Sequence, residues 1–227
     1  GSGTLIEDEM DNGAICIDFG GGVTSGSVFM NGAPAWLDLV KVGGSRVTGD
    51  IAQGIGTTFA AAERLKTLHG TADTEGPGMA ERIEAPRLGD DGRLKAGRMT
   101  RGELASIIAP RIEELFEMVQ AHLTASPLRP ILPRRTVLTG GASQLTGVRE
   151  LASSVLKQPV RMGRPIDADI LGENYGNPAF STAAGLISYE LKGFADASRA
   201  GHAAALAGGE SGRGVLAKVL IWIRENF

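Results

Sequence analysis

The stretch Asp18-Phe19-Gly20-Gly21-Gly22-Val23-Thr24 begins at the end of a β-branched apolar run, residues 14–19, that reads as a buried strand. Glycines at the end of such a strand let backbone N–H groups approach a phosphate with no Cβ in the way. An Asp carboxylate and a Thr hydroxyl beside them can orient a phosphate, a water or a hydrated metal ion. A tight hairpin that binds nothing has the same composition. A second turn, Leu138-Thr139-Gly140-Gly141-Ala142-Ser143, closes another short apolar run and precedes a helical pattern. Its double glycine allows a nucleoside to lie against the backbone, and a compact strand-to-helix turn is the alternative. The two turns, far apart in the chain with helices between them, are more specific as a pair than either is alone.

The elements that must position these turns follow from periodicity. Residues 26–30 and 35–42 are two further apolar stretches around Asn31-Gly32, the dipeptide that tolerates the positive φ of a tight hairpin, so a three-strand meander is expected. From Val47 to His69 the residues Val47, Ile51, Ile55, Phe59, Ala62, Leu65 and Leu68 recur at helical spacing, with Gly70 as the C-cap. Residues 71–98 hold a strand near Ile83 and a hairpin signal at Asp91-Gly92. Thr100 and Glu103 form a capping box that opens a helix to about Leu123. After Pro127, Pro130 and Pro133 come a strand at 136–138, a helix from about Leu145 to Leu156, a short strand at 159–162 and an Ala-rich helix from Phe180 to Leu191. Residues 193–212 are mostly Ala, Gly and Ser, a flexible-linker composition.

Composition excludes several classes. With 42% hydrophobic residues the chain of 227 can bury a sizeable core. Its net charge of -3 and lack of a basic, aromatic-interleaved stripe argue against nucleic acid as a partner. The single cysteine, Cys16, sits in an apolar run and reads as a small buried hydrophobe. His69, His122 and His202 are scattered without metal-ligand spacing, and no Gly-x-Ser-x-Gly elbow is present. No apolar run approaches the roughly 18 residues of a membrane span. Gly1-Ser2-Gly3 reads as a cloning remnant and residues 1–13 as a lead-in, so the chain is expected to begin inside a longer protein.

Together the two glycine turns resemble the second phosphate loop and the adenosine loop of the actin, Hsp70 and sugar-kinase superfamily. Within it the chain is similar to the FtsA family of bacterial cell-division proteins over nearly its whole length. The matching stretches are residues 18–24, 47–52, 62–66, 108–111, 137–142 and 181–186. The resemblance implies an α/β fold, half of an actin-like ATPase (ribonuclease H-like). Subdomain 2A would comprise residues 14–48 and 133–192, with an inserted 2B subdomain at 49–132, a flexible linker at 193–212 and a terminal amphipathic helix at 213–227. Carried over by position, Asp18, Gly20, Gly21, Gly22, Val23, Thr24, Gly140, Gly141 and Ala142 would hold ATP and its Mg2+. Glu63 and Lys66 would flank the adenine and ribose, a surface ion pair being the other reading. Val23 stands where a Thr is common and Ser25 where many relatives carry Asp, departures that weaken metal handling and hydrolysis. Lacking the other half of the cleft, the chain is expected to bind nucleotide poorly and to hydrolyse none.

The last residues have a different character. At about 100° per residue, Val215, Leu216, Val219, Leu220, Trp222, Ile223 and Phe227 share one helical face opposite Lys218, Arg224 and Glu225. A helix this short is marginal in water and folds when a lipid interface accepts its apolar side, unless it docks on its own domain. It resembles the membrane-targeting helix of the family, which implies a peripheral protein on the cytoplasmic face of the inner membrane at the division site. Arg98, Arg101 and Arg111 lie in or beside the capped helix. The resemblance implies that this region receives the acidic carboxy-terminal tail of FtsZ, and that the whole protein self-associates into actin-like filaments. For any single arginine, a solvated helix face is the alternative. Two rival readings of the chain are half of an actin-superfamily metabolic kinase and an Hsp70-like ATPase, the latter requiring a β-rich domain after residue 192.

Overall fold

A short helix, α1 (Glu7–Asn12), leads into β1 (Ala14–Phe19), the apolar run that ends at the first glycine turn. The computed structural model describes residues 3–166, 176–188 and 190. From the turn the chain returns as β2 (Thr24–Met30) and β3 (Ala33–Val40), an antiparallel meander on one side of β1. Asn31 and Gly32 take φ of 52° and 76°, the paired left-handed conformation a two-residue hairpin requires.

The helical pattern expected to run unbroken from Val47 to His69 is two helices. Gly56, left-handed at φ 71°, closes α2 (Gly44–Ile55) by returning its amide to Ala52 O. Thr58 then starts α3 (Phe59–His69), its hydroxyl accepting from the Ala61 amide at 3.2 Å. Hydrophobic spacing continued through the break because both helices turn the same kind of face to one core. Gly70 caps in extended geometry at φ -64°; it is glycine because a Cβ would lie 2.3 Å from Lys66 O.

Between these helices and α4 (Arg101–Ala125) lie two small hairpins. One pairs β4 (Arg82–Glu84) with β7 (Arg98–Thr100); the other pairs β5 (Arg87–Leu88) with β6 (Leu94–Lys95), turning through Gly92 at φ 70°. The capping box opens α4: the Thr100 hydroxyl accepts from the Glu103 amide, and the Glu103 carboxylate accepts from the Thr100 amide.

β8 (Thr136–Thr139) pairs parallel to β1 on the side away from β2, and β9 (Val160–Met162) pairs parallel to β8, with α5 (Val148–Leu156) between them. The sheet order is β3-β2-β1-β8-β9. Because β1 and β8 are adjacent and parallel, with Asp18 opposite Thr139, both glycine turns leave the sheet at the same edge. Crevices at the carboxyl ends of parallel strands are where such sheets bind ligands.

One sheet face, carrying Ile15, Ile17, Phe19, Val28 and Leu138, shares a continuous core with α2, α3, α4 and α5. Phe19 meets Phe116 of α4 edge-on, ring centroids 6.0 Å apart. The other face buries Leu5, Cys16, Phe29 and Val137. Residues 3–12, read from sequence as a lead-in, are packed into the fold. Leu5 is fully buried, and Glu9, only 2% exposed, accepts from the Arg161 guanidinium of β9 and the Ile6 amide. Burial alone would raise the Glu9 pKa, but the hydrogen bonds from Arg161 and Ile6 and the nearby positive charge outweigh it and hold the carboxyl below its ordinary value.

A last helix, α6 (residues 181–188), completes the described fold. The expected linker at 193–212 and amphipathic helix at 213–227 lie outside the described residues. Among the described residues no helix is long and apolar enough to cross a membrane.

Candidate functional site

The amino terminus of α2 is built onto the first glycine turn. Gly44 N–H donates to Gly20 O at 3.0 Å and Ser45 N–H to Gly21 O at 2.7 Å, while Gly20 N–H closes the turn on Val23 O at 3.1 Å. A Cβ on Gly43 would lie 2.5 Å from Gly21 O, so the two backbones meet only because that position is glycine. The second turn presses on the first. Gly140 has φ 92° and ψ 159°, and a Cβ there would fall 2.3 Å from Asp18 Oδ1 and 2.5 Å from Phe19 O.

Gly21 and Gly22 differ from these. A Cβ on Gly22 would meet nothing within 4 Å, and one on Gly21 only Ser45 Oγ at 3.9 Å; neither has positive φ. Neither the fold's packing nor its backbone requires glycine there.

The turns open on a cleft of about 560 Å3 whose walls include Gly21, Gly141, Ala142, Glu63 and Lys66. Phe19, Val47 and Ile112 form its apolar floor, and Phe59, 53% exposed, stands at its rim. A second depression, between α5 and β9 beside Arg149 and Glu150, has neither glycine turn and no comparable grouping.

Glu63 and Lys66 are on the cleft wall, but their roles differ. Lys66 Nζ donates to Gly44 O at 3.0 Å, Thr48 Oγ1 at 2.7 Å and Glu63 Oε2 at 2.8 Å. All three ammonium protons therefore have protein partners, tying α3 to the first turn of α2. Glu63 Oε2 also accepts from the Thr48 hydroxyl. Desolvation would raise the Glu63 pKa; the hydrogen bonds from Lys66 and Thr48 and the Lys66 charge overcome it and keep the group below its ordinary value. Glu63 is thus an anion at neutral pH, half exposed at the cleft.

Other expected site residues fall elsewhere. The Thr24 side chain is fully buried and donates to Val42 O at 2.8 Å, so its hydroxyl serves the hairpin and is withdrawn from any ligand. Val23 is exposed beyond the turn. The three arginines have different partners. Arg98 is exposed on β7 opposite Glu84, and Arg101 Nε donates to His69 O at 3.3 Å. Arg111 is held by Asp50 and Glu114, which raises its pKa, chiefly through the Asp50 hydrogen bond. Sequence reading missed Ser45, Phe59 and Gln144 at the cleft, and Thr182 of α6, which donates to Asp18 Oδ2 at 2.6 Å. For the last the sequence signal was the family-like stretch 181–186, whose contact with β1 only the fold supplies.

A five-stranded mixed sheet with paired glycine turns at the carboxyl ends of adjacent parallel strands, and a helix-borne glutamate facing them, defines the actin-like ATPase fold class. The crystal structure of Spiroplasma citri MreB 5 bound to AMPPNP superposes with a TM-score of 0.66 over 86% of this chain and 57% of that one, at 16% identity. The sequence model of the cell division protein FtsA matches residues 15–185. The chain belongs to the FtsA family. It is 39% identical to the cell division protein FtsA of Agrobacterium fabrum over 100% of its own length, and 34% identical to that of Escherichia coli over 82%. It spans about half of each, 51% and 45% respectively.

Proposed function

We propose that this chain forms one wall of an ATP-binding cleft in a longer actin-like division protein, which polymerises and ties FtsZ to the cytoplasmic face of the inner membrane. The convergence of Gly21, Gly141 and Glu63 on one cleft carries the reading. Gly21 and Gly22 support it, since glycine without packing or conformational need fits close approach of a phosphate to the backbone. The nucleotide-bound MreB 5 structure is consistent with a nucleotide here.

In this reading the phosphates lie over Gly20–Gly22 and the nucleoside lies against Gly141 and Ala142. Glu63, anionic and fixed through Oε2, keeps Oε1 to accept from a ribose hydroxyl. Lys66 orients Glu63 and does not contact nucleotide. Mg2+ fits the phosphate end only as a water-rich ion. Among the described residues no three acidic, His or Cys side chains gather to hold a metal, and Asp18 is the carboxylate at the crossing of the turns. When bound, the ion would neutralise phosphate charge.

Family membership and the sequence support a reading of the partner surfaces. The hairpins and α4 offer Arg98 and Arg101 to the acidic FtsZ tail, while Arg111 is committed to Asp50. Residues 213–227 attach to lipid through the Val215, Leu216, Val219, Leu220, Trp222, Ile223 and Phe227 face, and filament formation multiplies that weak hold by avidity.

Photolabelling tests the cleft. With 8-azido-ATP at millimolar concentration, peptides covering residues 59–69 or 141–147 are expected to carry the label, and excess ATP to remove it. Label confined to other peptides, or insensitive to ATP, would overturn the reading.

A further inference from the structure

The second glycine turn is fastened to residues 177–179. Gly140 N–H donates to Pro178 O at 3.3 Å, and a Cβ on Gly141 would meet the Ala179 side chain at 3.5 Å. Asn177 caps the 3-10 turn Pro178–Phe180, its Oδ1 accepting from the Ala179 amide at 2.8 Å. Its Nδ2 donates to Gln144 Oε1 at 2.8 Å, and Gln144 Nε2 donates to Gly141 O at 3.2 Å.

These three hydrogen bonds run with one polarity, and the backbone sets it at both ends. The Ala179 amide can only donate, so the Asn177 atom beside it is the oxygen and the remaining group is NH2. The Gly141 carbonyl can only accept, so the Gln144 atom beside it is the nitrogen. Turning either side-chain amide over would set like groups against each other at two contacts. Asn177 and Gln144 are both exposed, where an amide side chain is ordinarily free to reorient; here each is held in one orientation. Gln144 also lines the cleft beside Gly141 and Ala142. Its Nε2 carries a second N–H that has no partner among the described residues. A fixed donor at that wall suits an acceptor nitrogen on the edge of a purine.

We infer that the Gln144 amide reads the base of the nucleotide, donating from Nε2 to a purine ring nitrogen, and that Asn177 is the positioning residue that holds it there. This rests on the nucleotide reading above. The pair contributes to affinity for the base and little to affinity for the ribose and phosphates.

The test is an amide NMR titration of the chain with ATP and with ribose 5-triphosphate, which keeps the sugar and phosphates and has no base. Wild type is expected to show saturable shifts with both and to prefer ATP. Asn177→Asp keeps the cap, because a carboxylate also accepts from the Ala179 amide, and removes the donor to Gln144. It should lower the ratio of ATP affinity to ribose 5-triphosphate affinity about five-fold, the scale of one neutral hydrogen bond. Any effect of the added charge falls on both ligands and leaves the ratio unmoved. Gln144→Leu should lower the ratio to a similar extent, and the double variant no further, since both changes remove one contact. A ratio unchanged in Gln144→Leu would overturn the base contact and leave the cleft standing. A ratio lowered by Gln144→Leu and unchanged by Asn177→Asp would overturn the positioning role. Wild type that shows no saturable shift with ATP would remove the nucleotide reading itself, and this inference with it.

Discussion

Gly140→Ala is the substitution whose cost the structure specifies most fully. The backbone at 140, φ 92° and ψ 159°, lies in a region that is essentially reserved for glycine, and placing alanine there costs roughly 1–3 kcal/mol. The added methyl would also stand 2.3 Å from Asp18 Oδ1, 2.5 Å from Phe19 O and 2.7 Å from Phe19 C. Two of these are backbone atoms of β1, which cannot swing aside as a side-chain tip can. Overpacking of this kind adds about 1–3 kcal/mol. The sum, about 2–6 kcal/mol, should lower the thermal midpoint by roughly 4–24 °C at the 2–4 °C per kcal/mol of a domain this size. Urea denaturation followed by circular dichroism measures it, with two internal controls. Gly22→Ala meets open space at ordinary φ and should be neutral within about 0.5 kcal/mol. Gly49→Ala, inside α2 with nothing within 4 Å, should stabilise by about 0.5–1 kcal/mol. If Gly140→Ala proves as stable as Gly22→Ala, the two turns do not interlock as described.

Lys66→Met removes all three donors that join α3 to Gly44 and Thr48. A loss of about 1–2 kcal/mol in the urea midpoint is expected, discounted because Glu63 is half exposed; no loss would mean the network is ornamental. Glu9→Gln leaves the Arg161 guanidinium without its anionic partner and should cost about 2 kcal/mol at pH 7, less than a fully buried pair because Arg161 is partly exposed. The folded-state pKa of Glu9 is depressed, so its contribution is complete above the unfolded value of about 4.3 and is lost as pH falls through the folded value. The stability gap between wild type and Glu9→Gln should therefore close in acid, and a gap that persists at low pH would contradict the assignment. In liposome co-sedimentation, Trp222→Glu should reduce binding roughly ten-fold or more, since it replaces a large apolar anchor with a charge; equal pelleting would remove the membrane-tether proposal.

How much of this was legible in the sequence depended on whether the cause was local. The Asn31-Gly32 hairpin, the Thr100–Glu103 capping box and the Asp91-Gly92 turn are decided by a few adjacent residues, and each stands as read. The break at Gly56 was hidden because the apolar spacing of α2 and α3 runs through it, although Thr58 followed by α3 carried an N-cap signal. Residues 3–12 looked like a lead-in because nothing nearby announces Arg161 as the partner of Glu9. In the cleft, residue types singled out both glycine turns and Glu63, which the structure brings to one cleft, but could not show that Thr24 spends its hydroxyl on Val42 or that Lys66 spends its charge on α2. Those are choices among partners that only packing decides. Thr182 is the extreme case, its hydrogen-bond partner Asp18 lying 164 residues earlier in the chain.

The account turns on whether the two glycine turns bind one nucleotide between them. A crystal structure of the chain grown with a non-hydrolysable ATP analogue addresses this directly. The prediction is phosphate density over Gly20–Gly22, the base against Gly141 and Ala142, and Glu63 within hydrogen-bond distance of the ribose. Analogue bound at saturating concentration to any other surface, with this cleft empty, would contradict it.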